Sequence, residues 1–118
     1  MKKLLLIDDS AFSRKTVKRF LEQDYLVLEA DGGKEGLRVF AEEKPDIIIL
    51  DLTMPEMNGL EVLERLKAMD KSVRVIIGTA DIQDYNRQKA SELGALGFVN
   101  KPLQKETLLP LIEQALNI

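Results

Sequence analysis

The chain has 118 residues and a mass of 13.3 kDa, 45% hydrophobic and 31% charged, which fits one soluble domain and leaves no room for a second. It has no cysteine and no histidine, which excludes disulfides, thiolate nucleophiles, imidazole bases and the usual zinc sites. Chemistry falls to carboxylates, hydroxyls and lysines. A net charge of −3 with pI near 5.1 repels nucleic acid and anionic lipid, and no apolar run is long enough for a secretory signal or a membrane span. The expectation is a cytoplasmic protein with neither nucleic-acid nor membrane partners.

In chain order, short apolar runs alternate with amphipathic stretches. Leu4 to Ile7 predicts a buried strand, followed by a helix with Phe12, Val17, Phe20 and Leu21 on one face and Arg14, Lys15, Lys18 and Arg19 in water. Tyr25 to Ala30 predicts a second strand; Asp31-Gly32-Gly33 then turns into a helix with Leu37, Phe40 and Ala41 inward, and Pro45 separates it from a third strand, Ile47 to Leu50. After Pro55 and the turn residues Asn58-Gly59, the spacing of Leu60, Leu63, Leu66 and Met69 predicts a third helix. Val73 to Ile77 predicts a fourth strand, about Asp84 to Leu93 a polar helix closed by Gly94, and Gly97 to Val99 a short fifth strand. Leu108, Leu109, Ile112 and Leu116 predict a last helix, in which an N-cap at Thr107 would put Pro110 harmlessly in the first turn.

Apolar strands alternating with helices require a parallel sheet covered on both faces and joined by right-handed crossovers. Five units predict an α/β (βα)5 doubly wound domain over 1–118. A flavodoxin-like strand order, 2-1-3-4-5, places a ligand crevice at the carboxyl ends of the strands.

Asp8 and Asp9 follow the first strand, Asp51 the third, Thr79 the fourth and Lys101 the fifth, all at that edge. Carboxylates brought together repel, by about 4 kcal/mol per pair at ~4 Å and an effective dielectric of ~20. They call for a cation. Oxygen donors alone favour a hard ion such as Mg²⁺, and an added lysine and hydroxyl supply donors for a phosphoryl group. Asp51 becomes the candidate nucleophile, since aspartate accepts phosphoryl groups in covalent catalysis. Taken singly, each residue has a plainer role: Asp9 or Ser10 as a helix cap, Asp8 and Asp51 as strand ends, Thr79 as a strand former and Lys101 as a surface lysine.

Together, Asp8-Asp9-Ser10, the run Asp51-Leu52-Thr53-Met54-Pro55 with Asn58-Gly59, Thr79-Ala80, Phe98 and Lys101-Pro102 closely resemble the receiver domain of two-component response regulators, especially the stand-alone chemotaxis type. The resemblance implies that Asp51 accepts a phosphoryl group from a phosphohistidine on a partner histidine kinase. It implies Mg²⁺ bound by Asp9, Asp51 and the backbone carbonyl of Thr53, with Asp8 acting through a metal-bound water. Lys101 would pair with the phosphoryl oxygens, Thr79 would donate its hydroxyl, and small Ala80 would leave a path to the acceptor. Phe98 would be the aromatic that turns inward when Thr79 is drawn to the phosphate; on periodicity alone it is equally a core residue. Thr53 and Asp81 occupy the two positions that in this family tune phosphoryl lifetime.

Two residues depart from the commonest pattern: Gly78 replaces a larger residue before Thr79, which is expected to weaken the strand and loosen the switch, and Leu103 replaces an aromatic after Lys101-Pro102. The resemblance implies a phosphoacceptor that catalyses only its own phosphotransfer and dephosphorylation. A small Mg²⁺-dependent aspartyl phosphatase of the haloacid dehalogenase type needs a second aspartate two residues after the nucleophile, where Thr53 stands. A pseudo-receiver acting only as an interaction module would not need all five functional positions. With no effector expected after the last helix, output is expected through a protein surface, the face of the fourth helix, fifth strand and fifth helix with Tyr85, Lys89, Phe98 and Gln104. Basic residues on the first helix, Lys18 and Arg19, would dock a kinase or a phosphatase.

Overall fold

A computed structural model describes residues 1–81 and 83–117. Five strands alternate with five helices: β1 Lys3–Ile7, α1 Ala11–Leu21, β2 Leu26–Ala30, α2 Gly33–Glu43, β3 Ile47–Leu50, α3 Gly59–Met69, β4 Val75–Thr79, α4 Asp84–Glu92, β5 Gly97–Asn100 and α5 Lys105–Leu116. The strands form one parallel sheet in the order β2-β1-β3-β4-β5, as the alternation predicts. No helix among the described residues is long and apolar enough to cross a membrane.

The period-two geometry of a strand divides each apolar run between two cores. Leu5 and Ile7 of β1, Ile48 and Leu50 of β3 and Val75 and Ile77 of β4 pack with Val39, Phe40, Val62, Leu63, Leu66 and Ala90 from α2, α3 and α4. Their neighbours Leu4, Leu6, Ile47, Ile49 and Ile76 face the other way, against Val17 and Leu21 of α1 and Leu108, Ile112 and Ala115 of α5. The apolar runs of the central strands are therefore buried on both faces. β2, at the edge, is half-exposed.

Several inward assignments fail for reasons of angle. Phe12 is 81% exposed; lying five residues before Val17, it sits about 140° round the helix from the buried stripe. Ala41 is exposed and Val39 buried in its place, and Met69, at the last position of α3, is half-exposed while Val62 is buried. Tyr25 precedes β2 and donates its amide to Leu21 O at the end of α1 (3.0 Å). Arg14 is not a water-facing residue: only 15% of its side chain is exposed, and Nη1 donates to the Asp8 carbonyl at 2.5 Å.

β4 runs two residues later than predicted, because Gly78 and Thr79 pair with Val99 and Asn100 of β5. Thr79 is thus the last residue of the strand rather than a residue beyond its end. The last helix starts at Lys105 with Gln104 as its N-cap, so Thr107 is not the cap and Pro110 lies in the interior. Its missing amide leaves the Glu106 carbonyl without the usual helical donor.

Candidate phosphoacceptor site

Three chain segments that carry charged residues leave the carboxyl edge of the sheet, two from the neighbours β1 and β3 and one from β5 beyond β4. Asp8 follows β1, Asp51 follows β3 and Lys101 follows β5, and parallel register brings Ile7 opposite Leu50. Asp8 and Asp51 are 7% and 4% exposed, whereas Asp9 is open to solvent. One carboxylate oxygen from each of Asp8, Asp9 and Asp51 falls within 4.8 Å of the others. Ser10, not Asp9, caps α1, accepting from the Ser13 amide at 3.2 Å. Asp9 is left to the acidic cluster.

Lys101 bridges the two buried carboxylates, with Nζ 2.7 Å from Asp8 Oδ2 and 3.1 Å from Asp51 Oδ2. The remaining oxygens are held by backbone: Ser10 N donates to Asp8 Oδ1 at 2.9 Å and Thr53 N to Asp51 Oδ1 at 3.1 Å. Burial works against the Lys101 ammonium, but hydrogen bonds and charge from Asp8 and Asp51 outweigh it and hold its pKa above the usual 10.5. One ammonium offsets only part of three carboxylates. The donor set, hard oxygens at a half-open edge, suits Mg²⁺. The peptide bond Lys101–Pro102 is cis.

Thr79 is fully buried, and its hydroxyl accepts the Asp81 amide at 3.2 Å, with no hydrogen bond to Asp51 among the described residues; its carbonyl accepts the Lys101 amide at 2.8 Å. Asp81 accepts from Gln83 N at Oδ1 (3.0 Å) and from Asn86 Nδ2 at Oδ2 (2.5 Å). Thr53 and Asp81 line the same cleft, of about 320 Å³, together with Asn58 and Asn86. Phe98 is half-buried, packed against the core on one side and covered by the Arg87 guanidinium, 5.2 Å from its ring centroid, on the other. Tyr85 and Lys89 on α4 and Gln104 before α5 are exposed.

Two glycines read as turn or strand-weakening residues have steric roles. A Cβ on Gly59 would overlap the Asp51 carbonyl oxygen and come within 2.5 Å of Leu52 Cα, so α3 can begin against the backbone of Asp51 and Leu52 only with glycine there. A Cβ on Gly78 would lie 2.9 Å from Leu103 Cδ1; Leu103, buried, fills the volume that Gly78 leaves. The two departures form one packing pair. Arg14 and Asn86 were also invisible in sequence, since each acts through a partner five or six residues away across a turn.

A family model for the response regulator receiver domain matches residues 4–113. The chain is 41% identical to the chemotaxis protein CheY of Listeria monocytogenes, over 98% of each chain, and 33% identical to sporulation initiation phosphotransferase F of Bacillus subtilis, over 97% of this chain and 93% of that one. Among solved structures, a response regulator receiver domain protein from Clostridium thermocellum superposes with a TM-score of 0.94 at 32% identity, covering 99% of this chain and 95% of that one. A chain of the CheX–CheY–BeF3–Mg²⁺ complex of Borrelia burgdorferi superposes with a TM-score of 0.89 at 28% identity, covering 96% and 87%. With the strand order and the carboxylate cluster already in place, these matches show that the chain belongs to the response regulator receiver domain family, as a chemotaxis-type, phosphorylation-activated signalling switch.

Proposed function

We propose that Asp51 is the phosphoacceptor and takes its phosphoryl group from a phosphohistidine on a partner histidine kinase. The observation that carries this is the position of Asp51: nearly buried at the end of central strand β3, with Oδ2 on Lys101, Oδ1 on the Thr53 amide and two further carboxylates beside it. In the transfer, an Asp51 oxygen bonds to phosphorus as the P–N bond breaks, and its electron pair returns to the imidazole nitrogen. Asp9, Asp51 and the Thr53 carbonyl would hold Mg²⁺ directly and Asp8 would hold it through a water. When bound, the ion neutralises charge spreading over the phosphoryl oxygens. Lys101 is placed to follow the new phosphoryl oxygens, and Thr79 to donate its hydroxyl to one of them.

The chain 1–118 then works as a single receiver domain that catalyses its own phosphorylation and dephosphorylation, with Thr53 and Asp81 setting the lifetime from their shared cleft. Output runs through the face of α4, β5 and α5, where a turn of Phe98 alters what Tyr85, Lys89 and Gln104 present to a partner protein. A phosphatase would act at the same acceptor. Intact-mass measurement after incubation with Mg²⁺ and a small phosphodonor tests the assignment. One added phosphoryl group, absent when Mg²⁺ is chelated before the phosphodonor is added and absent in Asp51→Ala, is expected; no addition, or equal addition to the variant, would overturn it.

A further inference from the structure

Asn86 and Arg87 are consecutive residues in the first turns of α4, and each holds one of the two switch elements. Asn86 Nδ2 donates to Asp81 Oδ2 at 2.5 Å, and the Asp81 amide in turn donates to the Thr79 hydroxyl at 3.2 Å. A second strut, Gln83 N to Asp81 Oδ1 at 3.0 Å, fixes the same carboxylate. On the next residue, the Arg87 guanidinium lies over the face of Phe98, 5.2 Å from the centroid and inside cation–π range.

These contacts belong to the arrangement in which Thr79 has not reached Asp51. If the Thr79 hydroxyl is drawn toward a phosphoryl group on Asp51, two courses are open. Asp81 stays, and its amide loses the hydroxyl; or Asp81 follows, and its carboxylate leaves Asn86. Each course costs a bond. Turning the Phe98 ring inward likewise removes its face from Arg87. Contacts made in only one of two states shift the equilibrium toward that state by their full worth.

We propose that Asn86 and Arg87 are positioning residues, a clasp on α4 that holds the Thr79–Asp81 segment and Phe98 in the resting arrangement and sets how readily the domain switches. The clasp rests on the phosphoacceptor reading of Asp51. It is distinct from the lifetime-tuning role of Asp81, because Asn86 acts on the conformational equilibrium and touches no reacting atom.

The test is a titration of the full chain with BeF3⁻ and Mg²⁺, a phosphoryl mimic, read from the NMR amide shifts of Thr79 and Phe98, with thermal midpoints measured alongside. Asn86→Ala is expected to tighten apparent affinity about three- to tenfold, the discounted worth of a partly exposed hydrogen bond to a charged group. Arg87→Ala is expected to tighten it about two- to fivefold, and Arg87→Lys to restore most of the original value. Asn86→Asp, which sets a carboxylate against Asp81, is expected to exceed Asn86→Ala and serves as the second variant at that position. If the unsubstituted chain binds BeF3⁻ but the variants bind equally or more weakly, with only their thermal midpoints lowered, the clasp is wrong and the residues are structural. If the unsubstituted chain shows no Mg²⁺-dependent binding, the phosphoacceptor reading fails and takes the clasp with it.

Discussion

Lys101 is the residue on which the resting site depends, because among the described residues it alone bridges the two buried carboxylates. Its pKa is raised in the folded protein despite burial, through Asp8 and Asp51. A cationic group with a raised folded pKa adds stability that is fully present below the unfolded value of 10.5 and is lost as pH rises through the folded value. Lys101→Met is therefore expected to be less stable than the unsubstituted chain by about 1–3 kcal/mol at neutral pH without Mg²⁺. The gap should close at strongly alkaline pH and narrow when Mg²⁺ is added at neutral pH. Urea midpoints across that range check both. Tyr25, whose phenol is raised by burial and then by Glu113 and Asp24, loses stability in the same alkaline window in both proteins. Comparing the two chains therefore isolates Lys101. A gap that stayed constant to high pH would show that its cause is packing of the lysine stem, not charge.

The elements of the sheet were legible wherever an apolar run was both buried and bounded by turn residues. β3 falls at its predicted residues because Ile47 to Leu50 fills both cores between Pro45 and Asp51. β4 slipped because the apolar run ends at Ile77, while the hydrogen-bond ladder to β5 continues through Gly78 and Thr79; hydropathy does not register a ladder. Pro110 misled for the opposite reason: a local rule placed the helix start at Thr107, and burial of Leu108 and Ile112 against the sheet overrode it. The acidic residues and Lys101 could be placed from the strand ends alone, but the steric parts of the site could not, since they depend on distances between elements. Gly59→Ala is expected to destabilise the fold by about 1–3 kcal/mol, because α3 must retreat from the backbone around Asp51. Gly78→Ala meets chiefly the movable end of Leu103, with Ile49 Cγ2 beside it at 3.3 Å. Its smaller cost should therefore be relieved by a second change, Leu103→Ala, giving a favourable coupling in a double-mutant cycle of unfolding free energies. Strict additivity would deny the packing pair.

At the scale of the molecule, the absence of histidine from the sequence means that a phosphohistidine donor lies outside these 118 residues, and the surface has to recognise it. Along α1, exposed Phe12 with Lys15, Lys18 and Arg19 lines a groove of about 630 Å³ next to the acidic edge. Lys18 is partly neutralised by Glu29, 3.5 Å away, which leaves Lys15 and Arg19 as the fuller charges. Replacing Lys18 and Arg19 by glutamate is expected to slow transfer from a histidine kinase while leaving labelling by small phosphodonors unchanged; equal loss in both assays would refute docking at α1. All of this turns on which carboxylate becomes the acyl phosphate. The most direct measurement is reduction of the phosphorylated chain with borohydride, which converts a phosphorylated aspartate to homoserine, followed by peptide mapping. Homoserine at position 51 alone is the predicted result; homoserine at Asp8 or Asp9, with Asp51 intact, would contradict it.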